Sequence, residues 1–110
     1  MIWPAILKHS GDAELIYVSD EAEWNNDPDL YSAEYDEKDC LIDSSGNIFT
    51  LTRRECRHVN PEPSGDLITL HELLGLIKAH ASQQGSCCVA KLYAPTIREA
   101  IRMVESLNEQ

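Results

Sequence analysis

Cys40-Leu41-Ile42-Asp43-Ser44-Ser45-Gly46-Asn47-Ile48-Phe49-Thr50-Leu51-Thr52 is the stretch on which the fold turns. Two β-prone runs, Cys40 to Asp43 and Ile48 to Thr52, flank Ser44-Ser45-Gly46-Asn47, four residues that favour a tight reversal. This pattern predicts an antiparallel hairpin. Nearer the start of the chain, Ile2 to Lys8 and Glu14 to Val18 are separated by the turn signal Ser10-Gly11-Asp12-Ala13, which predicts another. Pro4 has no backbone donor, so the first strand lies at a sheet edge or begins near that residue.

Toward the other end the period changes from two to that of a helix. Thr69-Leu70-His71-Glu72 has capping-box spacing, Leu70, Leu73, Leu74, Ile77 and Ala81 follow at helical intervals, and Gly85 is placed to stop the helix. Pro95 and Thr96-Ile97-Arg98-Glu99 open a final helix with Ile97, Ala100, Ile101, Val104 and Leu107 on one stripe. Between the two helices, Ser86 to Tyr93 reads as a later strand. Arg53 to Asp66, with Pro61, Pro63 and Gly65, reads as a loop. Asp20 caps a short helix through Glu23 and Trp24, which the cluster Asn25-Asn26-Asp27-Pro28-Asp29 ends.

Strands clustered ahead of helices predict an α+β fold. The expectation is a single domain over residues 1–110, with a mainly antiparallel sheet built from two N-terminal hairpins plus a later strand and two amphipathic helices packed on one face. Its 110 residues, 43 % of them apolar, suffice for one core of moderate size.

Charge is distributed very unevenly. Residues 12 to 43 carry twelve of the nineteen acidic side chains and one basic residue, Lys38, so this window alone is close to −11 while the whole chain is −10. Such a field bears on partners through steering and repulsion. Phosphates would be repelled, so direct nucleic-acid binding is disfavoured. A basic protein partner is favoured, and a nucleic-acid mimic that fills a basic groove is allowed. From Asp27 to Asp39 the window is a connection of about thirteen residues, long for a loop. The expected partner-binding residues are Asp27, Asp29, Tyr31, Glu34, Tyr35, Asp36, Glu37 and Asp39, with Trp24, Leu30 and the two tyrosines able to pin the segment to the core. The competing account is a solvated face that only maintains solubility.

No motif assigns chemistry. Asp43-Ser44-Ser45-Gly46 is similar to the Asp-Ser/Thr-Gly turn of aspartic peptidases, but an extra serine interrupts it, and a hairpin turn explains the same residues. Oxygen donors at Asp43, Ser45 and Asn47 lack the glycine and closing glutamate of an EF-hand. Cys56 and His58 are two apart, and Cys40 could approach them, yet the paired short spacings of a zinc site are missing. The same Cys56 and His58 are the one local pair that offers a thiol with a base, as i and i+2 on one strand face. Arg53, Arg54 and Arg57 beside them could lower the thiol pKa or simply balance the acidic window. His71 and His80, nine apart on one helix, point roughly 180° away from each other and form no joint ligand set. Cys87 and Cys88, adjacent in the expected strand, read as small buried hydrophobes. No catalytic residue, metal or cofactor is assigned.

The residues Ile2-Trp3-Pro4-Ala5-Ile6, Gly11-Asp12-Ala13-Glu14-Leu15-Ile16-Tyr17, Glu23-Trp24 and Leu41-Ile42-Asp43-Ser44-Ser45-Gly46 resemble a small family of uncharacterised bacterial proteins of about this length. The resemblance covers mainly the first half. It implies a bacterial cytoplasmic domain and brings no catalytic residue with it. The opening residues lack the features of a signal peptide, and no apolar run approaches the roughly 20 residues that cross a bilayer, so a cytoplasmic location away from membranes is expected. The functional expectation is an interaction or accessory module that uses the acidic surface. The alternatives are a thiol-dependent enzyme centred on Cys56 and His58, and a structural protein that forms a homodimer.

Overall fold

Side chains of the first strand, Ala5–Lys8 (β1), alternate between two cores on opposite faces of one sheet. Ile6 joins the core beneath the long helices, whereas Ala5 and Leu7 point to the other. The period of two is continued by Leu15–Val18 (β2), where Leu15 and Tyr17 oppose Ile16 and Val18, and by Cys40–Ile42 (β3), where Leu41 opposes Ile42. A computed structural model describes residues 1–86 and 89–108.

The five-stranded sheet has the order β2-β1-β3-β4-β7, with Asn47–Thr50 as β4 and Glu62–Leu67 as β7, and every neighbouring pair is antiparallel. Both expected hairpins are present. β1 is internal and starts directly after Pro4, which spares it the missing donor. The turn after β3 depends on Gly46, whose φ of +88° is in the left-handed region. A Cβ there would lie 2.9 Å from the Ile68 carbonyl oxygen and 2.8 Å from Ile97 Cδ1.

Two helices cover one face. Leu70–Gln83 (α3) begins with a complete Thr69/Glu72 capping box and ends at Gly85, where the Ser86 and Gly85 amides donate to the Ala81 and Ser82 carbonyls and close the last turn. Ile97–Asn108 (α4) starts with the Glu99 amide donating to Thr96 Oγ1. Leu73, Ile77, Ala100, Ile101 and Val104 are fully buried against Ile6, Leu15 and Ile42. Each large aliphatic side chain so buried contributes about 1.5–3 kcal/mol. His80 is also fully buried and is satisfied on both nitrogens, by the Leu15 amide and the Asn108 side chain.

The opposite face is covered by shorter pieces. Glu21–Asn26 (α1), capped by Asp20, and Pro28–Tyr31 (α2), capped by Asp27, bring Trp24 and Leu30 onto Leu7, Leu41, Phe49 and Leu51. Trp24 is 1 % exposed and its indole N–H donates to the Val59 carbonyl at 3.0 Å.

The segment 53–66, expected to be a loop, contains strand instead. Arg54–Glu55 (β5) and His58–Val59 (β6) form a two-stranded ribbon, and β7 follows as the sheet's final strand. All six residues of β7 are exposed, and its proline and glycine suit an edge position, so backbone pairing to β4 across a register shift makes the strand without any apolar alternation. The later strand expected over Ser86 to Tyr93 is not where the sheet is completed. Val89–Lys91 is a single 3-10 turn, and Val89 and Leu92 use their apolar character to pack against the helical core. Cys87 and Cys88 lie outside the described residues. Among the described residues no helix is long and apolar enough to cross a membrane.

Candidate functional site

The acidic segment from Asp27 to Asp39, expected to be loop throughout, opens with α2, and together with the loop that follows it is tied to the body of the protein at many points. Asp39, 6 % exposed, accepts the Ser10 amide at 2.7 Å on Oδ1 and the Asp36 amide at 2.8 Å on Oδ2, with His9 Nδ1 3.8 Å from that second oxygen. Burial pushes the Asp39 carboxyl up, but the Ser10 and Asp36 amides together with His9 outweigh it, and its pKa falls below the usual carboxylate value. Asp36 accepts the Lys38 and Asp39 amides at 2.8 and 3.1 Å, and Asp27 accepts the Asp29 amide at 3.0 Å. These are the short-range side-chain to backbone bonds that aspartate favours in turns.

Aromatic rings hold the same loop. Tyr35 stacks between His9 and Trp24, with ring centroids 5.7 and 6.1 Å away, and donates its hydroxyl to the Leu30 carbonyl at 2.6 Å. Burial, with Asp39 nearby, pushes its pKa up to about 12. Tyr31 stacks on His58 of the ribbon at 4.9 Å, and Arg54 donates to the Ala33 carbonyl. Five of the eight expected contact residues therefore have structural partners: Asp27, Tyr31, Tyr35, Asp36 and Asp39. The carboxylates of Asp29, Glu34 and Glu37 are exposed and have no hydrogen-bond or ion-pair partner among the described residues.

The basic patch is not a thiol-activating site of the expected geometry. Cys56 and Arg57 form the turn of the β5–β6 ribbon with φ of 51° and 68°, so Cys56 is not in a strand and the i, i+2 face-sharing argument does not apply to it and His58. His58 uses its ring on Tyr31 and its Nδ1 on Asn60 Oδ1 at 3.2 Å. Arg53 pairs at 3.0 Å with Glu55 and with Glu62, both outside the acidic window, and pairs so exposed to solvent contribute little to stability. Cys40 is a partly buried free thiol whose pKa is raised by that burial. Among the described residues no group of three or more His, Cys, Asp and Glu side chains converges as a metal would need.

Asp43 is fully buried and ties its own turn to the start of the chain. Its Oδ1 accepts the Ser45 amide, Ser45 hydroxyl and Asn47 amide, and its Oδ2 accepts the Ile2 amide at 3.0 Å. Those bonds outweigh the upward push of burial and lower its pKa, which suits a structural carboxylate rather than a proton donor.

Beside the acidic loop, and sharing Trp24 with it, is an open groove of about 500 Å³. Trp3, Phe49, Pro61 and Pro63 give it an apolar lining, and Glu21, Asn25 and Asn60 bring polar groups to it. Among the described residues no lysine or arginine side chain lines it. Sequence reasoning does not find this groove, because its residues come from the N-terminus, α1, β4 and the stretch 60–63 that leads into β7. The one local signal is the pairing of prolines and an asparagine in Asn60-Pro61-Glu62-Pro63.

A family described as a protein structure with unknown function, DUF4144, matches residues 3–104. A protein from Shewanella amazonensis, solved by NMR, is similar to this chain with a TM-score of 0.69 and 29 % identity, over 97 % of this chain and 90 % of that one. No curated protein matches. With a match that runs from Trp3 through Val104 and so spans both hairpins, all of α3 and the first two thirds of α4, the chain belongs to the DUF4144 family.

Proposed function

We propose that this protein is an interaction module that offers an acidic face, organised before binding, to a basic segment of a protein partner. The observation that carries the reading is the division among the acidic residues of the loop. Asp27, Asp36 and Asp39 accept backbone amides and hold the chain in place, while Asp29, Glu34 and Glu37 remain exposed and unpartnered among the described residues.

Like charges gathered on one short segment repel one another, and a loop serving solubility alone has no need of a buried carboxylate and three aromatic stacks to keep them together. A face already ordered loses less conformational entropy on association than an acidic tail does. The exposed charges would steer a cationic partner and set its orientation.

The test is affinity capture from lysate at low and moderate salt, with the wild-type chain beside the triple variant Asp29→Asn, Glu34→Gln, Glu37→Gln. A basic protein retained by the wild type, released by salt and lost by the folded variant is the expected result. Identical sets captured by both chains would reduce the loop to a solvated face.

A further inference from the structure

We infer that the groove beside α1 accepts the side chain of a lysine or arginine, serving as the anchor point for the basic segment. The partner's identity as a basic protein rests on the functional reading above, but the chemistry of the pocket is drawn from its own walls. Trp3 and Phe49, with the two prolines, provide an apolar lining suited to the methylene stem of such a side chain, and aromatic rings attract a cation as well.

Glu21 supplies the one carboxylate of the lining and is itself exposed with no hydrogen-bond or ion-pair partner among the described residues. The side-chain amide of Asn25 brings a further oxygen acceptor to the same lining, and Asn60 Oδ1, already 3.2 Å from His58 Nδ1, keeps a second lone pair. Met1 also lines the groove, and Arg98 reaches the Trp3 carbonyl at 3.5 Å without lining it. A carboxylate ligand would meet Glu21 as a like charge. A purely apolar ligand would strip water from that carboxylate and from two amides without replacing the lost hydrogen bonds. A long side chain with a cationic head satisfies both parts.

The position fits a segment running on to the acidic loop. Trp24 lines the groove and also stacks on Tyr35, so anchor and charged face adjoin through one residue. The volume of about 500 Å³ admits one long side chain together with part of the backbone that bears it.

The direct test is an amide-resolved NMR titration with three small probes of matched backbone: the Nα-acetyl methylamides of lysine, norleucine and glutamate. The lysine probe is expected to shift Trp3, Glu21, Asn25 and Asn60 and to bind at least about tenfold more tightly than norleucine, which has a similar apolar body without the charge. Glutamate is expected to leave the groove signals unmoved, and Glu21→Gln to bring lysine down to the norleucine level. Norleucine binding as well as lysine, an unchanged affinity in Glu21→Gln, or shifts confined to other surfaces would each overturn the inference. The Asp29/Glu34/Glu37 variant is expected to retain the small probe. Failure of the groove is thereby separated from failure of the acidic-face reading, which the capture experiment addresses by itself.

Discussion

The backbone N–H of Leu15 donates to Nδ1 of His80 at 3.0 Å, joining residues 65 apart in the chain. Because Nδ1 accepts, the imidazole proton is on Nε2, which reaches Asn108 Oδ1 at 2.9 Å. One buried ring thus couples the edge strand β2 to α3 and to the last turn of α4. His80→Leu keeps much of the volume but leaves the Leu15 donor unpaired in the core. The expected loss is about 1–3 kcal/mol, read from the urea midpoint at neutral pH; an unchanged midpoint would show that the bond adds nothing to stability.

Gly46 tolerates no side chain, for two separate reasons. Its φ of +88° is strained for other residues, and a Cβ would press on the Ile68 carbonyl, a backbone atom that cannot easily move. Gly46→Ala is expected to destabilise by more than about 1 kcal/mol, whereas Gly11→Ala, at φ +76° with open space around it, suffers the conformational cost alone. Thermal unfolding of the two variants side by side measures the contribution of the contact.

Asp39 and Asp43 both have folded-state pKa values below their unfolded ones. Their stabilising contribution is therefore complete above the unfolded carboxylate value of about 3.9 and is lost as pH falls through the lower folded values. Asp43→Asn is expected to be less stable than wild type at neutral pH, with the gap narrowing through the acid range. A gap that stays constant with pH would separate Asp43 from the acid transition.

The division of the acidic loop has a stability signature. Asp39→Asn replaces one acceptor oxygen with a donor facing the Ser10 or Asp36 amide and is expected to destabilise by about 1–3 kcal/mol. Asp29→Asn, Glu34→Gln and Glu37→Gln, at exposed positions, are expected to stay within about 0.5 kcal/mol of wild type. Comparable losses in both sets would contradict the separation into holding and presenting residues.

How far the sequence led depended on whether a signal was local. The turn at Asp43 to Asn47, the Thr69/Glu72 cap and the apolar stripe of Ile97 to Leu107 are each decided by neighbours in the chain, and each forms as expected. β7 is invisible in the sequence because Glu-Pro-Ser-Gly-Asp-Leu has no apolar alternation; it is a strand through what β4 offers it. The apolar run after α3 has the composition of a strand, yet Val89 and Leu92 serve the helical core from a turn and its end. Charge located the acidic loop, but only the folded chain separates Asp39, bound by two amides, from Glu37 two residues earlier. The groove required residues from four segments to meet, and periodicity carries no record of that.

The central claim is that Asp29, Glu34 and Glu37 on the tied loop bind a cationic segment, and it is tested most directly by titrating the isotope-labelled chain with a lysine-rich peptide at two salt concentrations. The account predicts amide shifts concentrated over residues 29–37 and along α1, affinity that falls as salt rises, and at least about tenfold weaker binding by the triple variant. Shifts scattered over the whole surface, or equal affinity for wild type and variant, would contradict it.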